Sequence, residues 1–153
     1  MNNNILEINS SDILRGREIG SGGFGIVYGG KFKINNSLIA IKELKIENQL
    51  LNSQTKENFK KEINIMNKLK HPNIIKLIGI TKISSSSSSS NSENENMILE
   101  YLIKSSLYYQ LHEKNIKIPL WLQIKLSIDI MKGISYLHQL NPKIIHRDLK
   151  SHK

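Results

Sequence analysis

The sequence predicts an α+β protein: an antiparallel sheet that carries one amphipathic helix, followed by a second and more apolar helical segment. Three patterns predict it. Short β-type runs broken by glycines fill Ile13 to Glu43, apolar residues recur at helical spacing from Thr55 to Leu69, and Pro119 to Gln139 is apolar over much of a helix circumference.

The elements follow in order. The first dozen residues are polar and are expected to fray. Ile13-Leu14 leads to Ile19, a glycine-rich turn, Ile26-Val27-Tyr28 and then Leu38-Ile39-Ala40-Ile41, which reads as a hairpin and a third strand. Phe59, Ile63 and Met66 form the apolar stripe of the first helix, with Ile65 and Leu69 beside them. His71-Pro72-Asn73 ends that helix, because Pro72 disfavours helical geometry at the residue before it. Ile74 to Ile80 is a strand candidate, and Met97-Ile98-Leu99 is another. Between them, residues 84–96 hold a serine tract and a polar run expected to form a flexible loop inserted in a hairpin. Such an insertion is tolerated, since each doubling of loop length costs only about 0.6 kcal/mol. Pro119 suits a helix start. Leu120, Ile124, Ile128, Met131 and Ile134 form one stripe of the last helix, and Leu122, Leu126, Ile130 and Leu137 form a second.

Composition narrows the function. The 153 residues contain no Cys, which excludes disulfides and thiolate metal sites, and the five His show no ligand spacing, so no metal site is expected. The net charge of +9 is spread along the chain with few aromatics, so neither a nucleic acid nor a membrane partner is expected. Met1-Asn2-Asn3-Asn4 lacks the basic and apolar regions of a signal peptide, and no apolar stretch approaches a bilayer span. A soluble cytoplasmic protein is the expectation.

Four motifs carry chemistry. Gly20-Ser21-Gly22-Gly23-Phe24-Gly25 fits G-x-G-x-x-G, which by itself could be a plain turn or a dinucleotide site. A dinucleotide site would open a helix, whereas Ile26-Val27-Tyr28 continues as strand, so the glycines bend a hairpin whose N–H groups could approach phosphate. Ala40 and Lys42 alternate on the next strand and would face that loop together, the small residue leaving room for a flat ring and the cation meeting phosphates. A Lys among apolar strand residues is costly unless paired. Glu62, flanked by Ile63 and Met66, could pair with it, and Glu57 is a rival. In His146-Arg147-Asp148-Leu149-Lys150, Asp148 could accept a hydroxyl proton and Lys150 could neutralise a transferring phosphate.

In this order the elements resemble the protein kinase signature set, from about Ile13 to Ser151. The resemblance implies a kinase small lobe, with an antiparallel sheet and one regulatory helix, at about 13–102, after a disordered 1–12. Residues 103–153 would hold the end of the hinge and the first helices of a large lobe. It implies ATP contact by Ile19, Gly20, Ser21, Gly22, Gly23, Phe24, Gly25, Ile26 and Val27. Ala40, Lys42 and Glu62 join that set, with Leu99 as gatekeeper and Glu100-Tyr101-Leu102 as hinge. Met66 and His71 to Leu77 look like the family's helix-to-strand passage and favour Glu62 over Glu57 as partner of Lys42. Ser105-Ser106-Leu107 would start a short helix. Asp148 would be the proton acceptor, with Arg147 and Lys150 beside it. Lys150 is similar to serine/threonine kinases, and the strings together look most like their tyrosine-kinase-like branch.

The pattern also breaks. Magnesium is expected for the family, yet Lys153 stands where its metal-binding Asn belongs, and the 153 residues contain no D-F-G. Of the family's stacked regulatory contacts, Met66, Leu77 and His146 are present and the Phe that should join them is not. The expectation is therefore a truncated, inactive serine/threonine kinase homologue with residual, weak ATP contact. Two alternatives stand beside it: an active ATP-dependent kinase of which these residues are a part, and a non-catalytic module. That module would dock on an intact kinase through the helix at 119–139 or the face carrying Phe59 and Ile63.

Overall fold

A computed structural model describes residues 5–22, 25–44, 52–84, 93–104 and 106–150. Gly23, Phe24, Ser105, the serines at 85–90 and Ser151 to Lys153 lie outside the described residues. The chain divides into two compact units, Met1–Leu69 with Ile75–Tyr101, and Lys70–Ile74 with Leu102–Lys153.

The first unit is a five-stranded antiparallel sheet bearing one long helix. Its strands are β1 (Ile13–Gly22), β2 (Gly25–Phe32), β3 (Leu38–Glu43), β4 (Leu77–Ser84) and β5 (Glu93–Glu100), ordered β1-β2-β3-β5-β4. Helix α1 spans Asn52–Lys68, starting three residues before the expected Thr55. The β2–β3 turn closes through Asn36 N to Phe32 O at 2.9 Å and Ser37 N to Asn35 Oδ1 at 3.0 Å. Asn36 takes φ 56°, a left-handed conformation that Asn tolerates better than most residues.

Register sorts the side chains onto two faces, because directly paired residues point the same way and successive residues alternate. Val27, Lys42 and Met97 align across three strands, and Ala40 sits between Gly29 and Leu99. On this face Ala40, Met97 and Leu99 form a buried cluster with Phe59 and Ile63 of α1, and Met66, Leu77 and Ile80 pack around it. The opposite face holds Ile39, Ile41 and Ile98, covered by Ile8, Ile13, Tyr28, Phe32 and Ile78. The helical stripe is thus the one the sequence predicts, except that Ile65 is exposed.

Three expectations are corrected. Residues 5–12 do not fray: they run beside β4, with Ile8 N bonded to Ile80 O at 2.8 Å and Ile80 N to Leu6 O at 2.9 Å. Glu7 pairs with Lys82 at 3.0 Å, and Asn9 caps a short 3-10 turn, Ser10–Asp12, by accepting from Ser11 N at 3.1 Å. Ile5 and Ile8 supply apolar surface that the surrounding Asn and Ser obscure. Next, Glu93 to Asn96 are strand, not loop, held by pairing with β4 from Thr81↔Asn96 to Ser84↔Glu93. Asn96 and Thr81 are both buried, so a polar string need not be solvated when its backbone completes a ladder. Finally, β4 begins at Leu77 instead of Ile74, because Ile74 N turns back to His71 O at 3.1 Å.

The second unit is built on α2 (Leu120–Gln139), preceded by the short π-helical turn Tyr109–Glu113. Pro119 stands as the N-cap, and its carbonyl accepts from Leu122 N at 2.9 Å and Gln123 N at 3.1 Å. Near its other end, Gly133 is buried against Asn73, where a Cβ would lie 3.0 Å from the Asn73 carbonyl oxygen. The Tyr136 hydroxyl accepts from Lys70 N at 3.0 Å, and the ring stacks on His71 at 5.0 Å. The His-Pro-Asn turn therefore docks on α2. A helix so apolar is ordinarily central in a core; here Leu120, Trp121, Ile124, Ile128 and Met131 are exposed, while Gly133 and Leu137 of the helix are buried. Among the described residues no helix is long and apolar enough to cross a membrane.

Candidate active site

Lys42 lies on β3 with Ala40 two residues before it on the same face, and its side chain is 18% exposed. That burial demands a counter-charge, and α1 provides one: Nζ lies 2.7 Å from one Glu62 oxygen and 2.9 Å from the other. The Phe59 ring, one turn earlier on the helix, has its centre 6.0 Å from the same amine. The rival acid is occupied elsewhere. Glu57 bonds Lys61 at 2.7 Å on the exposed side of α1, and the hydrogen bond from that amine holds its carboxyl below the ordinary value. Five residues of helix rotate Glu57 about 140° from Glu62, so both cannot face β3.

Beside this pair the face becomes apolar. Ala40 and Leu99 are buried cross-strand neighbours, with Val27 packed against their cluster. Glu100 N donates to Lys76 O at 3.1 Å while its carboxylate accepts from Lys76 N at 2.7 Å, so its side chain is committed to β4's approach. Lys76 carried no sequence signal for that role. The two compact units divide between Tyr101 and Leu102, within the expected hinge string, and Leu102 is exposed. A cavity of about 300 Å³ opens on the first unit, lined by Leu14, Ile19, Gly29, Leu38 and Tyr101. Of the expected nucleotide-contacting residues it includes Ile19.

The glycine hairpin is formed by Gly20, Ser21 and Gly22, which oppose Val27, Ile26 and Gly25. Gly25 is dictated by packing, since a Cβ would lie 2.2 Å from the Glu43 carbonyl oxygen. Gly20 and Gly22 differ: among the described residues a Cβ on either would meet no atom within 4 Å. On the opposite face, Arg15 lies 3.0 Å from Glu43 and 3.5 Å above the Tyr28 ring. Burial pushes the Glu43 carboxyl above its ordinary value, and Arg15 opposes that only in part. The Glu43 oxygen nearest Arg15 has charge proximity without a well-directed hydrogen bond.

In the second unit, Asp148 N donates to His146 Nδ1 at 3.3 Å and Asp148 Oδ1 lies 3.2 Å from Lys150 Nζ. Arg147 between them has φ 59°, a left-handed conformation that costs of order 1–3 kcal/mol for such a residue and clusters at functional sites. The structure brings Lys42 to Glu62, Ala40 to Leu99, and Asp148 to Lys150. Among the described residues no three acidic or imidazole side chains converge as a metal site. Among the described residues the donor set does not fit a magnesium ion.

Protein comparisons agree with this order of elements. The family described as protein kinase domain matches residues 13–152. The "Probable serine/threonine-protein kinase drkB" of Dictyostelium discoideum is 40% identical over 95% of this chain and 19% of its own length. A second protein of that organism, "Probable serine/threonine-protein kinase drkA", is 37% identical over 95% of the chain and 21% of its own length. The "Probable serine/threonine-protein kinase SIS8" of Arabidopsis thaliana is 35% identical over 95% of the chain and 13% of its own length. The chain thus spans about a fifth or less of the length of these relatives.

Proposed function

Because the chain belongs to the protein kinase family, we propose that it carries the ATP-holding part of a cytoplasmic serine/threonine kinase of the tyrosine-kinase-like branch. We propose further that these 153 residues hold nucleotide weakly and do not by themselves transfer phosphate. Kinases in general use ATP with Mg2+ and depend on positioning and charge neutralisation more than on covalent help from protein.

The observation that carries the reading is the two-pronged contact between Lys42 and Glu62 beside Ala40 and Leu99. Glu62 fixes the amine on the strand face, where it would meet phosphate oxygens. Ala40, Val27 and Leu99 would flank adenine, and backbone groups of Glu100 to Leu102 would bind its edge. Gly20 and Gly22 leave open space where a side chain would stand, which suits close backbone approach to phosphate. Asp148 would take the proton of the substrate hydroxyl, while Lys150, now paired with it, would turn to the transferring phosphate. Lys153, at the family's metal-binding position, supports the lack of transfer, since a cation there opposes a second cation.

Calorimetric titration of the 153-residue polypeptide with ATP tests the first half. Lys42→Met should weaken binding roughly tenfold or more, as for a charge-assisted hydrogen bond of about 1.5–3 kcal/mol. Unchanged affinity in that variant would overturn the nucleotide reading. Labelled phosphate incorporation that Asp148→Asn abolishes would overturn the lack of transfer. The name drkB and its companions support serine/threonine specificity, which a peptide array on a longer form would test.

A further inference from the structure

The segment Ile5–Ile8 approaches β4 on the side away from β5, where β4 ends the sheet. Bonds from Ile80 to both Leu6 and Ile8, and the Glu7–Lys82 ion pair, hold it there. Gly79 is required for that approach: a Cβ would lie 2.4 Å from the Leu6 carbonyl oxygen and 2.9 Å from the Ile8 side chain. Ile5 and Ile8 then part. Ile8 packs on the outer face, against the cluster of Ile39, Ile41 and Ile98. Ile5 packs on the helix face, against the cluster that contains Phe59 and Ile63.

Those two helix residues bracket Glu62. Helix α1 draws nearest the sheet at β4, the edge strand, with Phe59 and Ile63 also buried against Ala40, Met97 and Leu99, while Lys42 sits on the central strand β3. The acid of the ion pair therefore depends in part on the edge strand, whereas the base does not. β3 is bonded on both sides, whereas β4 is bonded on one side by β5 and on the other, among the described residues, only by the strap formed by Ile5–Ile8. We infer that Ile5 is a positioning residue for the Lys42–Glu62 pair, acting through the β4 edge and the Phe59–Ile63 face of α1.

The coupling of strap to ion pair stands on these contacts alone, and its meaning for ATP rests on the reading above. The test keeps the two apart. The 153-residue polypeptide is acylated with an activated ester without nucleotide, and labelling is read at each lysine by mass spectrometry. Exposed Lys60 reports reagent delivery, and amide exchange at Ile39 and Ile98 reports the central sheet. Ile5→Ala should raise Lys42 labelling several-fold, as should Glu62→Gln, with Lys60 and the central amides unchanged. The double variant should show no further rise. Should Ile5→Ala loosen the whole sheet, Glu7→Lys decides, since it sets like charge against Lys82 without truncating an apolar side chain; the same selective rise at Lys42 is expected. Lys42 labelling at the wild-type level in both strap variants would overturn the inference, and so would additive rises in the double variant. A wild-type chain that shows this coupling yet fails to bind ATP would instead overturn the nucleotide reading.

Discussion

Lys42 and Glu62 meet through both carboxylate oxygens, 2.7 and 2.9 Å from the amine, across twenty residues of sequence. The pair is neither a surface ornament nor deeply buried, since the lysine side chain is 18% exposed and that of Glu62 is 40% exposed. Its value for stability is accordingly small, and its value for placing an amine is large.

That distinction gives the first prediction. Glu62→Gln should lower ATP affinity several-fold while moving the melting temperature little. Glu57→Gln should change neither, because its partner Lys61 is exposed on another side of the helix. Calorimetry and thermal melts on the same samples separate the two effects, and equal losses in both variants would contradict the assignment.

The hairpin glycines should behave oppositely to each other. Gly25→Ala drives a methyl into the Glu43 carbonyl and should destabilise the first unit by about 1–3 kcal/mol. Gly22→Ala meets no atom within 4 Å among the described residues and should leave stability nearly unchanged while weakening ATP binding. Chemical denaturation with and without ATP reads both.

Glu43 should make stability fall as pH rises. Burial holds its carboxyl above the ordinary 4.5 in the folded state, so the folded protein retains a proton that the unfolded chain has released. The favourable contribution is complete below about pH 4.5 and is lost as pH climbs through the raised value. Glu43→Gln should remove this component and raise the melting temperature at pH 7 relative to the parent, with the gap closing in acid. Melts across pH 4 to 8 check the sign.

Helix α2 should govern the handling of the isolated polypeptide. Leu120, Ile124 and Ile128 are exposed along one stripe, and burial of such a side chain is worth about 1.5–3 kcal/mol each. Replacing all three with Glu should increase soluble yield and suppress concentration-dependent light scattering, with ATP affinity unchanged.

Much of this was legible in the residues. The β-type runs and the Phe59–Ile63 stripe follow from periods of two and 3.6, and the sheet and helix bear them out; the choice of Glu62 over Glu57 is implied by the resemblance to the kinase signature, and α1 brings Glu62 to Lys42. What stayed hidden were features decided by long-range pairing. Ile5 and Ile8 gain their place from the edge of β4, seventy residues away, which no local pattern records. Asn96 looks like linker and is buried because its backbone completes the β4–β5 ladder opposite Thr81. Tyr136 reads as one more helix residue until its hydroxyl is found on the Lys70 amide. The left-handed turn at Arg147 is likewise invisible to a reading in which such a residue prefers other geometry.

The strap on β4 also bears on self-association. A sheet of this order presents two borders at which another chain could add a strand, one along β1 and one along β4. On β1 the charged Arg15, Arg17 and Glu18 and the register shifts around them break the flat template that fibrils need. On β4 the same duty falls to Leu6 and Ile8, which occupy Ile80 from within the chain. Proteolytic loss of the first eight residues would therefore leave a border open to intermolecular pairing, turning a change at the chain's start into a hazard of aggregation.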